Sequence, residues 1–220
     1  MAIKVEVWGD YALFTRPEMK VERVSYDVMT PSAARGILEA IYWHPGLRWI
    51  VDKIQVCNTI SFTNIRRNEI KSKISARSVK SVMDVGKGEL YINTSSDIQQ
   101  RASMVLKDVR YIIEAHFEMT DKAAPGDNPG KFQDIMKRRL SRGQYYHQPC
   151  MGCREFTAFF KEASDDVIIS DKLDGEKDLG FMLYDMDYST PDDIKPMFFR
   201  AKMVNGMIRV PDINSEEVLR

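Results

Sequence analysis

The stretch VRYIIEAHFEM, Val109–Met119, decides how the chain is read. Val109, Tyr111, Ile113, Ala115, Phe117 and Met119 fall on one face at period two, the pattern of a strand with one face against a core. The other face carries Arg110, Glu114, His116 and Glu118. His116 is one of only three histidines in the chain. A core histidine would sit on the apolar face with a single hydrogen bond. This one is held on the open, charged side, with Glu114 and Glu118 as the carboxylates expected to flank it. Taken alone, a structural or ion-paired surface histidine and a proton-transfer residue both fit this position.

Outward from this strand, the segments alternate in type. Ile3–Trp8 reads as a first strand with Ile3, Val5 and Val7 on one face. Thr30-Pro31 starts a helix, a hydroxyl cap followed by proline at the first helical position. Ala34, Ile37, Leu38, Ile41 and Tyr42 recur at helical spacing until His44-Pro45-Gly46 stops the run. On that stripe Tyr42 reads as a packing residue. Leu47–Cys57 and Thr59–Arg67 read as strands, and residues 68–103 as an irregular, Lys/Arg/Ser-rich excursion. Asn128–Arg142 is a second helix with Phe132, Ile135, Met136 and Leu140 inward and Gly143 beyond its end. Arg154–Lys161 is strand-like.

This order predicts an α+β fold of the ferredoxin-like, RNA-recognition-motif type over residues 1–162, enlarged by the excursion. After Glu162 the chain turns acidic. Leu179–Asp187 and Met197–Val210 read as short strands, the second folded back at Asn205-Gly206. Residues 163–220 therefore form a second, small antiparallel β unit in this reading.

The 220 residues carry 32 basic and 32 acidic side chains, so net charge selects no partner. Its distribution does more. Residues 1–162 hold 25 Lys+Arg against 19 Asp+Glu, and residues 163–220 hold 7 against 13. A basic body with an acidic end is compatible with a polyanion bound through the first part. Arg66, Arg67, Lys71 and Lys73 lie in or beside the excursion, and Arg138, Arg139 and Arg142 close the second helix. Cations on such segments suit phosphate contacts. Those at the helix end also suit the helix dipole.

Cys150-Met-Gly-Cys153 is the one CxxC. It leads into a strand, and Cys57 and His147 complete no zinc spacing with it, so it reads as small apolar residues and no metal or cofactor is expected. The N-terminus has no signal-peptide pattern, no apolar run is long enough for a membrane helix, and three cysteines make no disulfide framework. A soluble, cytoplasmic protein is expected.

Five blocks then combine: GDYALFT at 9–15, SYDV at 25–28, AIYW at 40–43, EAHFE at 114–118 and GCRE at 152–155. In this order they resemble CRISPR-associated protein 5 of the subtype I-C kind, over nearly the whole chain. The resemblance implies a RAMP-superfamily protein with an RNA-recognition-like domain and a small C-terminal β domain. It implies an endoribonuclease that cuts CRISPR precursor RNA within each repeat. Such an enzyme stays on the 5′ handle of the crRNA, beside the backbone and large subunits of the interference complex. The family's catalytic set of tyrosine, lysine and histidine matches here at Tyr42 and His116. No lysine lies within five residues of His116, and His44 follows Trp43 where lysine is common in the family. The implied chemistry is metal-independent: a ribose 2′-hydroxyl attacks the adjacent phosphate, leaving a 2′,3′-cyclic phosphate and a 5′-hydroxyl. A non-catalytic RNA-binding subunit capping the 5′ handle is the rival, and needs neither residue.

Overall fold

The computed structural model describes residues 2–19, 21–190 and 192–220. Among the described residues ten strands form one large, almost wholly antiparallel sheet, accompanied by three α-helices. The first strand, β1 (Ile3–Ala12), buries Ile3, Val5 and Val7 as its alternation requires. A two-residue strand, β2 (Arg23–Val24), follows. Helix α1 (Pro31–Ile41) begins where Thr30 Oγ1 accepts from the Ala33 N–H at 3.2 Å. It ends one residue earlier than its apolar stripe suggests: Tyr42 is already extended, at φ −144°.

Strand β3 (Leu47–Val56) and the long β5 (Ile98–Met119) run antiparallel, and β1 lies on the other side of β5. The second half of β5 is the strand read from VRYIIEAHFEM. Helix α3 (Pro129–Arg142) starts at Asn128, whose Oδ1 accepts from Lys131 N–H at 2.9 Å, and ends at Gly143 in the left-handed region. Strand β6 (Phe159–Glu162) then pairs with β1. The spatial order through this part is β3-β5-β1-β6.

The excursion departs from its expected irregularity. Strand β4 (Phe62–Ile70) pairs with the first half of β5, from Phe62 opposite Leu106 to Ile70 opposite Ile98. Between them stands helix α2 (Ala76–Val85), capped by Ser75 and closed by Gly86 at φ +66°. The result is a two-stranded arm with a helix at its tip. Beyond the pair Ile65 and Ser103 its strands bury no side chain, because no core lies beneath them, so the period-two signal that identifies a half-buried strand is missing there. Asp108, at φ +51°, sits between the two halves of β5.

At the C-terminal end, β7 (Glu176–Asp187), β8 (Lys195–Val204) and β9 (Met207–Arg209) are antiparallel, and the short β10 (Val218–Leu219) flanks β8. Asn205 and Gly206 both have positive φ, +49° and +75°, as a tight turn between β8 and β9 requires. Strand β9 pairs with β3, so these strands continue the same sheet, and their buried side chains join one hydrophobic cluster with those of β1, β3 and β5. Arg154–Phe156, expected in a strand, forms a turn instead, and Thr157 makes only an isolated bridge with Cys150. Among the described residues no helix is long and apolar enough to cross a membrane.

Candidate active site

One face of the central strands is covered by α1 and α3, and the other carries charge. The register defines the charged face. On β5 it presents Arg110, Ile112, Glu114 and His116; on β1, Lys4, Glu6 and Trp8; on β6, Phe159 and Lys161. On β3, Arg48 and Ile50 stand opposite Glu118 and His116. The next step breaks the pattern. Val51 pairs with Ala115 and Lys53 with Glu114, so Asp52 is an extra residue, a β-bulge.

The bulge puts two side chains where regular pleating would put one. Lys53 Nζ meets Glu114 Oε1 at 2.9 Å. Asp52 is left for His116, whose Nδ1 lies 2.8 and 2.9 Å from its two carboxylate oxygens. The expectation that Glu114 and Glu118 flank the histidine is therefore corrected: Glu114 is taken by Lys53, and the partner is Asp52. An ionised carboxylate only accepts hydrogen bonds, so Nδ1 carries the proton and donates. This leaves Nε2 free to accept or deliver one. Both side chains are about one-third exposed, at 37% and 33%, so the pair faces solvent and is reachable by a large ligand.

Tyr42 lies elsewhere. It is 4% exposed and packs edge-on against Phe132, with the Arg139 guanidinium 4.9 Å from its ring centroid. Its carbonyl accepts from Trp49 Nε1 at 2.9 Å. Burial pushes its phenol above the ordinary pKa, with Arg139 pulling the other way. Phe132 also touches Phe117, the neighbour of His116 on β5. Successive side chains of a strand leave opposite faces. The two residues that the resemblance implies as catalytic thus stand on different faces: Tyr42 on the helix-covered face with Phe117, His116 on the open one. Around Tyr42 stand His44, 4.9 Å from the Phe132 ring, and Arg139, which donates to the Ile41 carbonyl.

The basic residues divide between two elements. Arg66, Lys71 and Lys73 are exposed on and just past β4 in the arm, and Arg67 there pairs with Glu155 at 3.3 Å. Arg138 and Arg142 are exposed on the last turns of α3. Arg139 turns inward to the end of α1, a structural use of a residue expected to meet phosphate. Among the described residues no group of three or more His, Cys, Asp or Glu is arranged to hold a metal ion. In the CxxC, Gly152 is at φ +79° and a Cβ there would meet the Leu13 carbonyl oxygen at 2.3 Å. The segment is shaped by backbone approach to β1, where Leu13 N–H donates to Met151 O at 3.0 Å.

Sequence reasoning missed Asp52 and Lys53. The signal was present: in LRWIVDKIQV the buried positions run Leu47, Trp49, Val51, then Ile54 and Val56, a one-residue slip that marks a bulge.

Residues 2–211 match the family profile described as "CRISPR-associated protein (Cas_Cas5)". A protein of Mannheimia succiniciproducens named "CRISPR pre-crRNA endoribonuclease Cas5d" is 50% identical over 99% of this chain and 98% of its own length. One of the same name from Thermus thermophilus is 38% identical over 99% and 95%. Two solved structures share the fold at TM-scores of 0.71 and 0.70, with 24% and 23% identity over 100% of this chain and 97% of theirs. They are titled "Crystal Structure of CRISPR-associated Protein" and "The crystal structure of a functionally uncharacterized protein SMU1763c from Streptococcus mutans". With the profile matched over residues 2–211 and relatives this similar, the chain belongs to the Cas5d family of CRISPR-associated proteins.

Proposed function

We propose that this chain is an endoribonuclease that cuts CRISPR precursor RNA within the repeat, and that it remains on the 5′ handle of the crRNA as a subunit of a type I-C interference complex. The observation that carries the reading is the His116–Asp52 pair, an oriented imidazole with a free Nε2 on an exposed sheet face. The names of the relatives at 50% and 38% identity support the substrate class.

In the proposed mechanism Nε2 of His116 takes the proton of the attacking 2′-hydroxyl or gives one to the leaving 5′-oxygen. The new bond joins the 2′-oxygen to phosphorus as the bond to the 5′-oxygen breaks, yielding a 2′,3′-cyclic phosphate and a 5′-hydroxyl. Asp52 holds the ring and balances the imidazolium. Lys53, on the same face and paired with Glu114 in the free protein, turns to the phosphate when RNA binds and supplies the cation that the phosphorane needs. Tyr42 acts through the corner it packs. The reaction needs no metal and no cofactor.

The order β6-β1-β5-β3, with α1 and α3 as connections, supports a ferredoxin-like, RNA-recognition-type core within residues 1–162. Residues 163–220, the acidic β unit, and the arm would then be additions to it, the arm meeting RNA through Arg66, Arg67, Lys71 and Lys73. Arg138 and Arg142 offer a second phosphate track. The backbone and large subunits of the complex are the proposed protein partners, in the cytoplasm.

The test is cleavage of the organism's own labelled repeat RNA by the purified chain in excess EDTA. Persistent cleavage to a cyclic phosphate is expected. Binding without cleavage under any condition would favour the rival, a non-catalytic subunit capping the 5′ handle. Loss in EDTA restored by Mg²⁺ would overturn metal independence alone.

A further inference from the structure

About six residues along β5 from His116, the open face carries a second group of side chains that the cleavage mechanism does not use. Glu6 is the centre. It is 2% exposed although it points to the charged face, and it borders an open cleft of about 410 Å³. Its Oε1 accepts from Arg110 Nε at 2.8 Å, and the Arg110 Nη2 stands 2.6 Å from the same oxygen as an ion pair. Its Oε2 accepts no hydrogen bond, although Lys161 Nζ stands 3.4 Å away. A buried carboxylate oxygen without a donor is costly. Beside it the Trp8 and Phe159 rings lie nearly parallel, centroids 6.0 Å apart at 23°. Phe159 is half exposed, and the Lys161 ammonium sits 5.6 Å from the Trp8 ring centroid. Lys161 therefore bridges the aromatic pair and the free oxygen, and its side chain is half exposed.

We propose that this cleft binds one unpaired guanine of the RNA, stacked on the Phe159–Trp8 platform and read by Glu6. The inference rests on the RNA-binding reading above. Exposed aromatics on a sheet face suit base stacking. Arg110 and Lys161 supply cations for the flanking phosphates once Lys161 swings off the carboxylate. The choice of base follows from the acceptor. A carboxylate presents oxygens only, and the Watson–Crick edge of guanine offers two adjacent donors, N1–H and N2–H. Adenine and cytosine set a ring-nitrogen acceptor beside their amino group, and uracil flanks its N3–H with two carbonyls, so each brings a lone pair against the oxygens. At ~3.3 Å per residue, the six residues of β5 from Arg110 to His116 span roughly 20 Å, several nucleotides of an extended strand. Guanine recognition would thus fix the register of the cut rather than take part in it.

The experiment measures binding of the full chain to single-stranded twelve-nucleotide RNAs, oligouridylate with one central G, A or C, by fluorescence anisotropy. The G-containing RNA should bind about tenfold more tightly than all-U, with A and C close to U. Glu6→Gln, which keeps an oxygen for Arg110 and offers N–H in place of the free oxygen, should erase that advantage. Phe159→Ala, a half-exposed site where folding is not at stake, should reduce it several-fold. Equal binding of the G, A and C RNAs by wild type, or a preference that survives in either variant, would overturn the guanine site while leaving the RNA-binding function intact. No binding of any of these RNAs by wild type would overturn the RNA-binding function and the guanine site together.

Discussion

Asp52 meets His116 across the β3–β5 pair at the one point where β3 carries an extra residue. The bulge separates two jobs on one face: Lys53 neutralises Glu114, and Asp52 is left to orient the imidazole. If that orientation matters, loss of either partner should be felt in chemistry rather than in binding. His116→Ala should slow cleavage by about 10² or more under single turnover with saturating enzyme, the usual scale for removing a general acid or base. Asp52→Asn, which keeps the shape and removes the charge, should cost about tenfold by the same measurement. Solvent-facing pairs contribute about 1 kcal/mol or less to stability, so both variants should fold. An unimpaired His116→Ala rate would refute the assignment.

Tyr42 gives the contrasting case. Its ring is core to the corner formed by α1, α3 and Trp49, and on the proposed mechanism it takes no direct part in the proton transfer at His116. Tyr42→Phe keeps the packing, so cleavage should change less than about threefold on the ordinary scale of general acid–base effects. Tyr42→Ala should lower stability by about 3–5 kcal/mol, as for other large buried aromatics. Chemical denaturation and single-turnover cleavage on the same samples separate the two effects. A hundredfold loss in Tyr42→Phe would move the reaction to the Tyr42–His44 corner.

Much of this was legible in the sequence because local rules and tertiary packing agreed. Thr30-Pro31 and Asn128 start their helices, Asn205-Gly206 turns, and Val109–Ala115 alternates as written. The failures have separate physical causes. The outer halves of the arm strands lack a buried face, so their alternation carries no apolar signal. Helix α2 had its own punctuation, Ser75 and Gly86, hidden inside a stretch whose charge drew attention to phosphate contacts. Tyr42 fits the α1 stripe by spacing, yet its backbone has already left the helix. Asp52 required reading a one-residue slip between Val51 and Ile54. Charge alone does not show that the fold turns Arg139 toward the α1 terminus and pairs Arg67 with Glu155.

The arm prediction follows from that division. Replacing Arg66, Lys71 and Lys73 together with Ala should flatten the salt dependence of RNA binding. For each phosphate of a single strand that is no longer neutralised, the slope of log K against log salt should fall by about 0.7. Arg67→Ala added to that set should change the slope less than the others, because its charge is already shared with Glu155 at 3.3 Å. Binding measured over a salt series decides it. An unchanged slope in the triple variant would return the arm to a solvated surface.

The last prediction concerns stability at high pH. Cys57 is buried at the end of β3, and burial pushes its thiol up to about 11 from an ordinary 9.0, with Arg110 acting in the opposite sense. The folded state therefore holds its proton over a range in which the unfolded chain has released it. The stabilisation is fully present below pH 9 and is lost as pH rises through the folded value. A shift of this size corresponds to roughly 2–3 kcal/mol, spent between those two values, at about 1.4 kcal/mol per pH unit. Urea unfolding at pH 8 and at pH 11 should show the wild type losing more stability than Cys57→Ala, with the excess close to that amount. The same burial should leave Cys57 unreactive to thiol reagents near neutral pH in the folded protein. Equal losses in the two proteins would mean that the thiolate is solvated in place, and that the β3 end opens to water before the rest of the sheet.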